Sequence, residues 1–129
     1  MQDAVTFSSI RFRPVLPEAS QVNPGRYGAE LAFWLCTRLA EEGVVTSYPN
    51  YEDWGWFIEY ITPAGDEFWL CCGNVEGEHD RWHCFIQPKA KGILHRRMPP
   101  LETARPLQDA LARILRTEGT VHDIEWSAD

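Results

Sequence analysis

The stretch "YEDWGWFIEYITPAGDEFWLCC", residues 51–72, decides the fold. Two runs of large alternating side chains, Trp54 to Thr62 and Asp66 to Cys72, flank the short link Pro63, Ala64, Gly65. Proline suits the second position of a type I turn. A glycine after it supplies the left-handed residue that closes a hairpin loop of this length. The turn sets a register in which Thr62 pairs with Asp66, Tyr60 with Phe68, Ile58 with Leu70 and Trp56 with Cys72. One face of the hairpin then carries Trp56, Ile58, Tyr60, Phe68, Leu70 and Cys72, with no charge among them, and is expected to meet the core. The other carries Phe57, Glu59, Ile61, Glu67, Trp69 and Cys71. It mixes aromatics with carboxylates and is expected to meet water or a partner. The acids at its start, Glu52 and Asp53, read as a strand entrance after a turn at Pro49 and Asn50 rather than as a catalytic pair. Gly55 marks a bulge or a close backbone approach.

The flanking segments extend this sheet. "VTFSSIRFR" alternates as a first strand, Val5 to Arg13, which Pro14 and Pro17 end. In "NPGRYGAELAFWLCTRLAEEG", Asn23 suits an N-cap and Pro24 a first helical residue. Leu31, Trp34, Leu35, Arg38 and Leu39 recur at helical spacing, and Gly43 is a natural stop, which predicts a helix over Pro24 to Glu42. "VVTSYP", residues 44–49, reads as a short strand. In "RWHCFIQP", alternation sends Trp82, Cys84 and Ile86 to the core and Arg81, His83, Phe85 and Gln87 outward. A second helix has Thr103 as cap and Leu107, Ala110, Leu111, Ile114 and Leu115 as its apolar stripe, with Gly119 beyond its end. "VHDIEW" is a last strand. The order β-α-β-β-β-β-α-β implies an α+β domain over residues 1–129: a mostly antiparallel sheet with both helices on one face, a two-layer sandwich.

Bulk properties narrow the function classes. A chain of 129 residues supports one hydrophobic core. Its net charge of −7 disfavours generic binding to DNA or anionic membranes and suits a basic partner. No apolar run reaches the length of a signal peptide or a membrane span, so the expected compartment is the cytoplasm. Cys36, Cys71, Cys72 and Cys84 fall inside predicted helix and strands and are expected as reduced thiols.

Chemistry-bearing constellations are sparse. Glu59 and Glu67 share a face with Trp69 and Phe57, the arrangement a glycoside-cleaving or carbohydrate-binding site would need. Two solvated carboxylates are the plainer reading. The C-x-x-C pairs of zinc sites are absent, and Cys71 and Cys72 point to opposite faces, so only Cys71 with His83 and a carboxylate would suit an ion. No G-x-S-x-G elbow is present, so no catalytic nucleophile is assigned. "NPGRYG" offers Arg26 and backbone amides at a helix start but follows no phosphate-loop pattern. Lys89, Lys91, His95, Arg96 and Arg97 form a basic connector within residues 88–104. They lack the interleaved aromatics of a nucleic-acid surface.

The strongest functional signal is the outer sheet face. Phe57, Ile61, Trp69 and Phe85 form an apolar strip rimmed by Glu59, Glu67, Arg81 and His83, unless the connector folds over it. Aromatic strips with polar rims mark protein-binding sites. Asn23, Pro24, Gly25 and Gly28, together with Glu52 to Trp56, resemble a group of small acidic bacterial proteins with an N-P-G-x-x-G helix start and an E-D-W-G-W strand. The resemblance covers those segments and implies no activity. In general character such a chain resembles immunity proteins, in which negative charge steers toward a basic enzyme and aromatics hold the contact. The expectation is therefore a cytoplasmic binding protein without catalytic residues, cofactor or metal. Its partner is a basic protein, or a second copy in a homodimer. The alternative is a small hydrolase or sugar-binding domain built on Glu59, Glu67 and Trp69.

Overall fold

The computed structural model describes residues 1–92 and 97–128. Among these residues six strands form one sheet: β1 (Ala4–Ser8), β2 (Asn50–Glu52), β3 (Gly55–Ile61), β4 (Glu67–Asn74), β5 (Arg81–Pro88) and β6 (His122–Ser127). Their spatial order is β2-β3-β4-β5-β1-β6, and every pairing is antiparallel. The helices α1 (Ala29–Glu41) and α2 (Arg105–Thr117) pack on one face of it, which makes an α+β fold of two layers.

The hairpin at the centre has the register that its turn demands. Tyr60 lies opposite Phe68, Ile58 opposite Leu70 and Trp56 opposite Cys72. Thr62 N donates to Asp66 O at 2.8 Å, and Gly65 N donates back to Thr62 O at 2.8 Å. Ile58, Phe68, Leu70, Trp82 and Cys84 are fully buried against Leu31, Leu35 and Leu39 of α1 and Leu107, Leu111 and Ile114 of α2. Trp82 keeps its indole N–H satisfied at 3.0 Å from the Ser9 carbonyl, as a buried polar group requires.

Elsewhere the structure departs from the local signals. β1 stops at Ser8, and Phe12 enters the core from irregular backbone. Residues 44–49 form no strand. Ser47 N donates to Glu59 O, but Glu59 N donates to the Ser47 hydroxyl at 2.9 Å. A side chain thus takes the place of the main-chain carbonyl that a ladder needs. The edge of β3 is filled instead by β2, which turns into β3 through Asp53 and Trp54 with no turn at Pro49 and Asn50. Trp56 is only half-buried, packed edge-on against Tyr51 at 5.7 Å near this open edge. Thr103 does not cap α2. Its hydroxyl donates to Pro100 O, inside a 3-10 turn (Leu101–Ala104) that leads into the helix.

The first helix also starts later, at Ala29. Pro24 and Gly25 instead occupy the centre of a tight turn closed by Arg26 N donating to Asn23 O, with Gly25 at φ +75° as a type II turn requires. Asn23 therefore caps no helix. Its amide donates to Asp53 O at 2.8 Å and ties this turn to the β2-β3 turn. Two glycines make that contact possible. A Cβ at Gly28 would lie 3.1 Å from the Cys72 carbonyl oxygen, and one at Gly55 would lie 2.8 Å from the same atom. The "NPGRYG" and "EDWGW" segments are thus neighbours that converge on one point of β4.

Candidate functional site

The face of the sheet away from the helices holds all the residues expected there. Across the strands, Phe57 lies opposite Cys71 and Cys71 opposite Phe85; Glu59 lies opposite Trp69, and Ile61 opposite Glu67. His83 and Arg81 follow along β5, opposite Thr6 and Ser8 of β1. Within this array Phe57 and Trp69 stack at 3.7 Å with ring planes only 9° apart. Lys89 Nζ stands 3.8 Å from the Trp69 ring centroid. Phe57 fills one ring face, so the ammonium takes the other. The indole N–H donates to the Glu67 carboxylate at 3.0 Å. Trp69 is therefore clamped on both faces and at its nitrogen.

That clamp bears on sugar binding. A carbohydrate stacks on a free aromatic face and needs carboxylates that are not already engaged. Trp69 has no free face, and Glu67 is occupied by it. Neither Glu59 nor Glu67 lines the cavities at Asp66, Lys91 and Arg97, at Cys36 and Tyr48, or at Leu16, Phe33 and Trp56.

Trp54 is the residue that strand alternation missed. The two-residue turn between β2 and β3 frees its side chain from the alternation and lays it over the outer face. Its ring lies 6.4 Å from Phe57 and 6.0 Å from Phe85. Those two residues flank Cys71 in one row, so the indole roofs the thiol. Phe57 and Cys71 are consequently buried although no helix covers them, while Trp54 itself remains 38% exposed. The signal in the sequence was the spacing of Asp53 and Gly55 around Trp54, a tight-turn pattern rather than a strand start.

Arg81 proves to be a structural clasp. Its guanidinium donates to Ser8 Oγ at 3.0 Å, Thr6 Oγ1 at 3.1 Å and Asp123 O at 2.8 Å, with Glu125 at 3.7 Å. These bonds join β5, β1 and β6 and leave little of the fork for a partner. His83 is half-buried and tilted on Phe85 at 5.3 Å. Ile61 is 59% exposed at the far end of the strip. Of the connector, Lys89 reaches this face, whereas Lys91 and Arg97 pair with each other through their main chains beside Asp66. His95 and Arg96 lie outside the described residues.

The surroundings of Cys71 and Cys36 favour the protonated thiol. Burial pushes the Cys71 thiol up to about 12, opposed slightly by Lys89, and burial also raises Cys36. A raised pKa starves the thiolate that a nucleophile or metal ligand requires. Among the described residues no group of three or more His, Cys, Asp and Glu side chains is placed to hold an ion, and no helix is long and apolar enough to cross a membrane. No family model, no curated protein and no solved structure matches this chain.

Proposed function

We propose that this chain is a small acidic binding protein of the immunity type, and that its outer sheet face receives a basic protein partner in the cytoplasm. One observation carries the reading: an aromatic ridge of Trp54, Phe57, Trp69 and Phe85 stands on the sheet face opposite both helices. Its accessible parts, Trp54 and Ile61, adjoin Glu52, Asp53 and Glu59. Aromatic anchors ordered by their neighbours lose little freedom on binding. The surrounding carboxylates and the net charge of −7 steer a cationic surface toward them. Buried free thiols suit a reducing compartment.

The test begins with wild type and Trp54→Lys as baits in native lysate, after circular dichroism shows both folded. Any basic protein held by wild type is then purified and titrated directly. The expected result is a loss of affinity of at least about 100-fold in the variant, the size of a central hot spot, with an association rate that falls as salt rises. Equal affinity for both baits overturns the assignment of this face. Self-association alone, abolished by the same substitution, replaces the basic partner with a second copy.

A further inference from the structure

Cys72 and Cys84 stand opposite each other on β4 and β5. Hydrogen bonds at both ends of the ladder define what kind of pair they are. Val75 N donates to Arg81 O at 2.9 Å, and Lys89 N donates to Glu67 O at 3.0 Å. Both contacts belong to the register that matches Cys72 to Cys84. Hydrogen-bonded positions alternate along an antiparallel pair, so they fall on the odd-numbered residues of β4. Cys72 therefore sits at a non-hydrogen-bonded position, where opposed Cα atoms approach to about 4.5 Å. That spacing lies within the roughly 4.4–6.8 Å that a disulfide spans. Both side chains point to the helix-covered face and are buried in the same core. Cys71 points to the opposite face and Cys36 belongs to α1, so neither shares this geometry.

We propose that Cys72 and Cys84 form a modification site: a dithiol that a small-molecule disulfide, such as oxidised glutathione, converts into an internal cross-strand disulfide. One cysteine gives its proton to solvent and attacks the small disulfide. That S–S bond breaks, one small thiol leaves, and a mixed disulfide remains. The facing cysteine then loses its proton and attacks the protein sulfur of the mixed disulfide, expelling the second small thiol. The protein loses two protons and two electrons, and one small disulfide becomes two thiols. In the native state both sulfurs are sealed in the core. The facing Cys84 and burial both push the Cys72 thiol well above its ordinary value, which favours the protonated form. Exchange thus runs through transient opening, or during folding, and the closed bond is shielded from reductant in turn. Closure restricts the unfolded chain between the two strands and raises the melting temperature, by roughly 5–10 °C.

The experiment is refolding of the full chain from denaturant in a glutathione redox buffer, followed by acid quench, alkylation, intact mass and peptide mapping. Once the mass of its two alkyl groups is subtracted, the expected product is about 2 Da lighter than the reduced chain, as loss of two hydrogens requires. It carries a Cys72–Cys84 linked peptide and alkylated Cys36 and Cys71. It melts higher than the reduced form, and Cys84→Ala gives neither change. Native protein in the same buffer is expected to oxidise at least about 100-fold more slowly than refolding protein, because opening limits the reaction. Alkylation of all the cysteines after refolding, a bridge through Cys36 or Cys71, or arrest at the glutathione adduct overturns the proposal. The wild-type map decides it even where the variant does not fold.

Discussion

The two faces of this sheet bury aromatic side chains by different means. On the helix side, Phe7, Phe68 and Trp82 lie beneath Leu31, Leu35, Leu107 and Leu111, which come from distant parts of the chain. On the other side, Phe57 and Cys71 reach similar burial beneath Trp54 and Trp69, from the sheet's own strands and turn. The first is a packed interior bounded by secondary structure. The second is a cover one side chain deep, whose upper surface is itself apolar. A cover of that kind keeps the face ordered without sealing it, and a partner can settle directly on the ridge.

If this contrast holds, equivalent truncations on the two faces will differ. Phe68→Ala opens a cavity that two rigid helices cannot close, and is expected to cost about 3–5 kcal/mol in urea denaturation. Phe57→Ala lets Trp54 and Trp69 settle into the gap, and is expected to cost only about 2 kcal/mol. Equal losses would mean that the outer layer is as rigid as the core.

Trp54→Ala isolates the roof. Its expected cost is about 1 kcal/mol, since the residue is partly solvated in the native state, but its effect on Cys71 is larger. With the indole gone, water reaches the thiol and its pKa falls from about 12 toward the ordinary 9.0. The thiolate fraction then rises at any pH below those values. Alkylation of Cys71 at about pH 8 is expected to accelerate at least tenfold, read by mass spectrometry. An unchanged rate would show that Trp54 does not cover the sulfur.

The smallest effect concerns Glu18, which binds the "NPGRYG" segment through two hydrogen bonds. The Tyr27 hydroxyl donates to Glu18 at 2.6 Å, and the Gly25 amide donates to the same carboxylate. Together they hold Glu18 below its ordinary 4.5. The ionised form is favoured by folding, so this contribution is present above the unfolded pKa and is lost as pH falls through the folded one. Glu18→Gln should lower the melting temperature slightly near neutrality. The gap to wild type should close as pH drops below about 4. A gap that persists in acid would assign the effect to shape rather than charge.

Much of the fold could be read locally. The hairpin register followed from Pro63 and Gly65, and the stripe from Leu107 to Leu115 placed α2 on the core. Alternation sorted Trp82, Cys84 and Ile86 from His83 and Phe85. Several of the misreadings share one cause: groups whose partners are remote in sequence. Ser47 bonds the backbone of Glu59, Asn23 bonds Asp53, and Arg81 draws its partners from β1 and from Asp123 in β6. Each of these bonds redirects a segment that looked regular by itself.

Local steric and periodic rules act within a few residues, so the sequence alone settled the turn, the register, the two face identities and the antiparallel α+β class. The roof over Cys71, the clamp on Trp69 and the facing of Cys72 and Cys84 needed the assembled sheet. Each depends on side chains from different strands or turns arriving at one place, and only the packed structure brings them together.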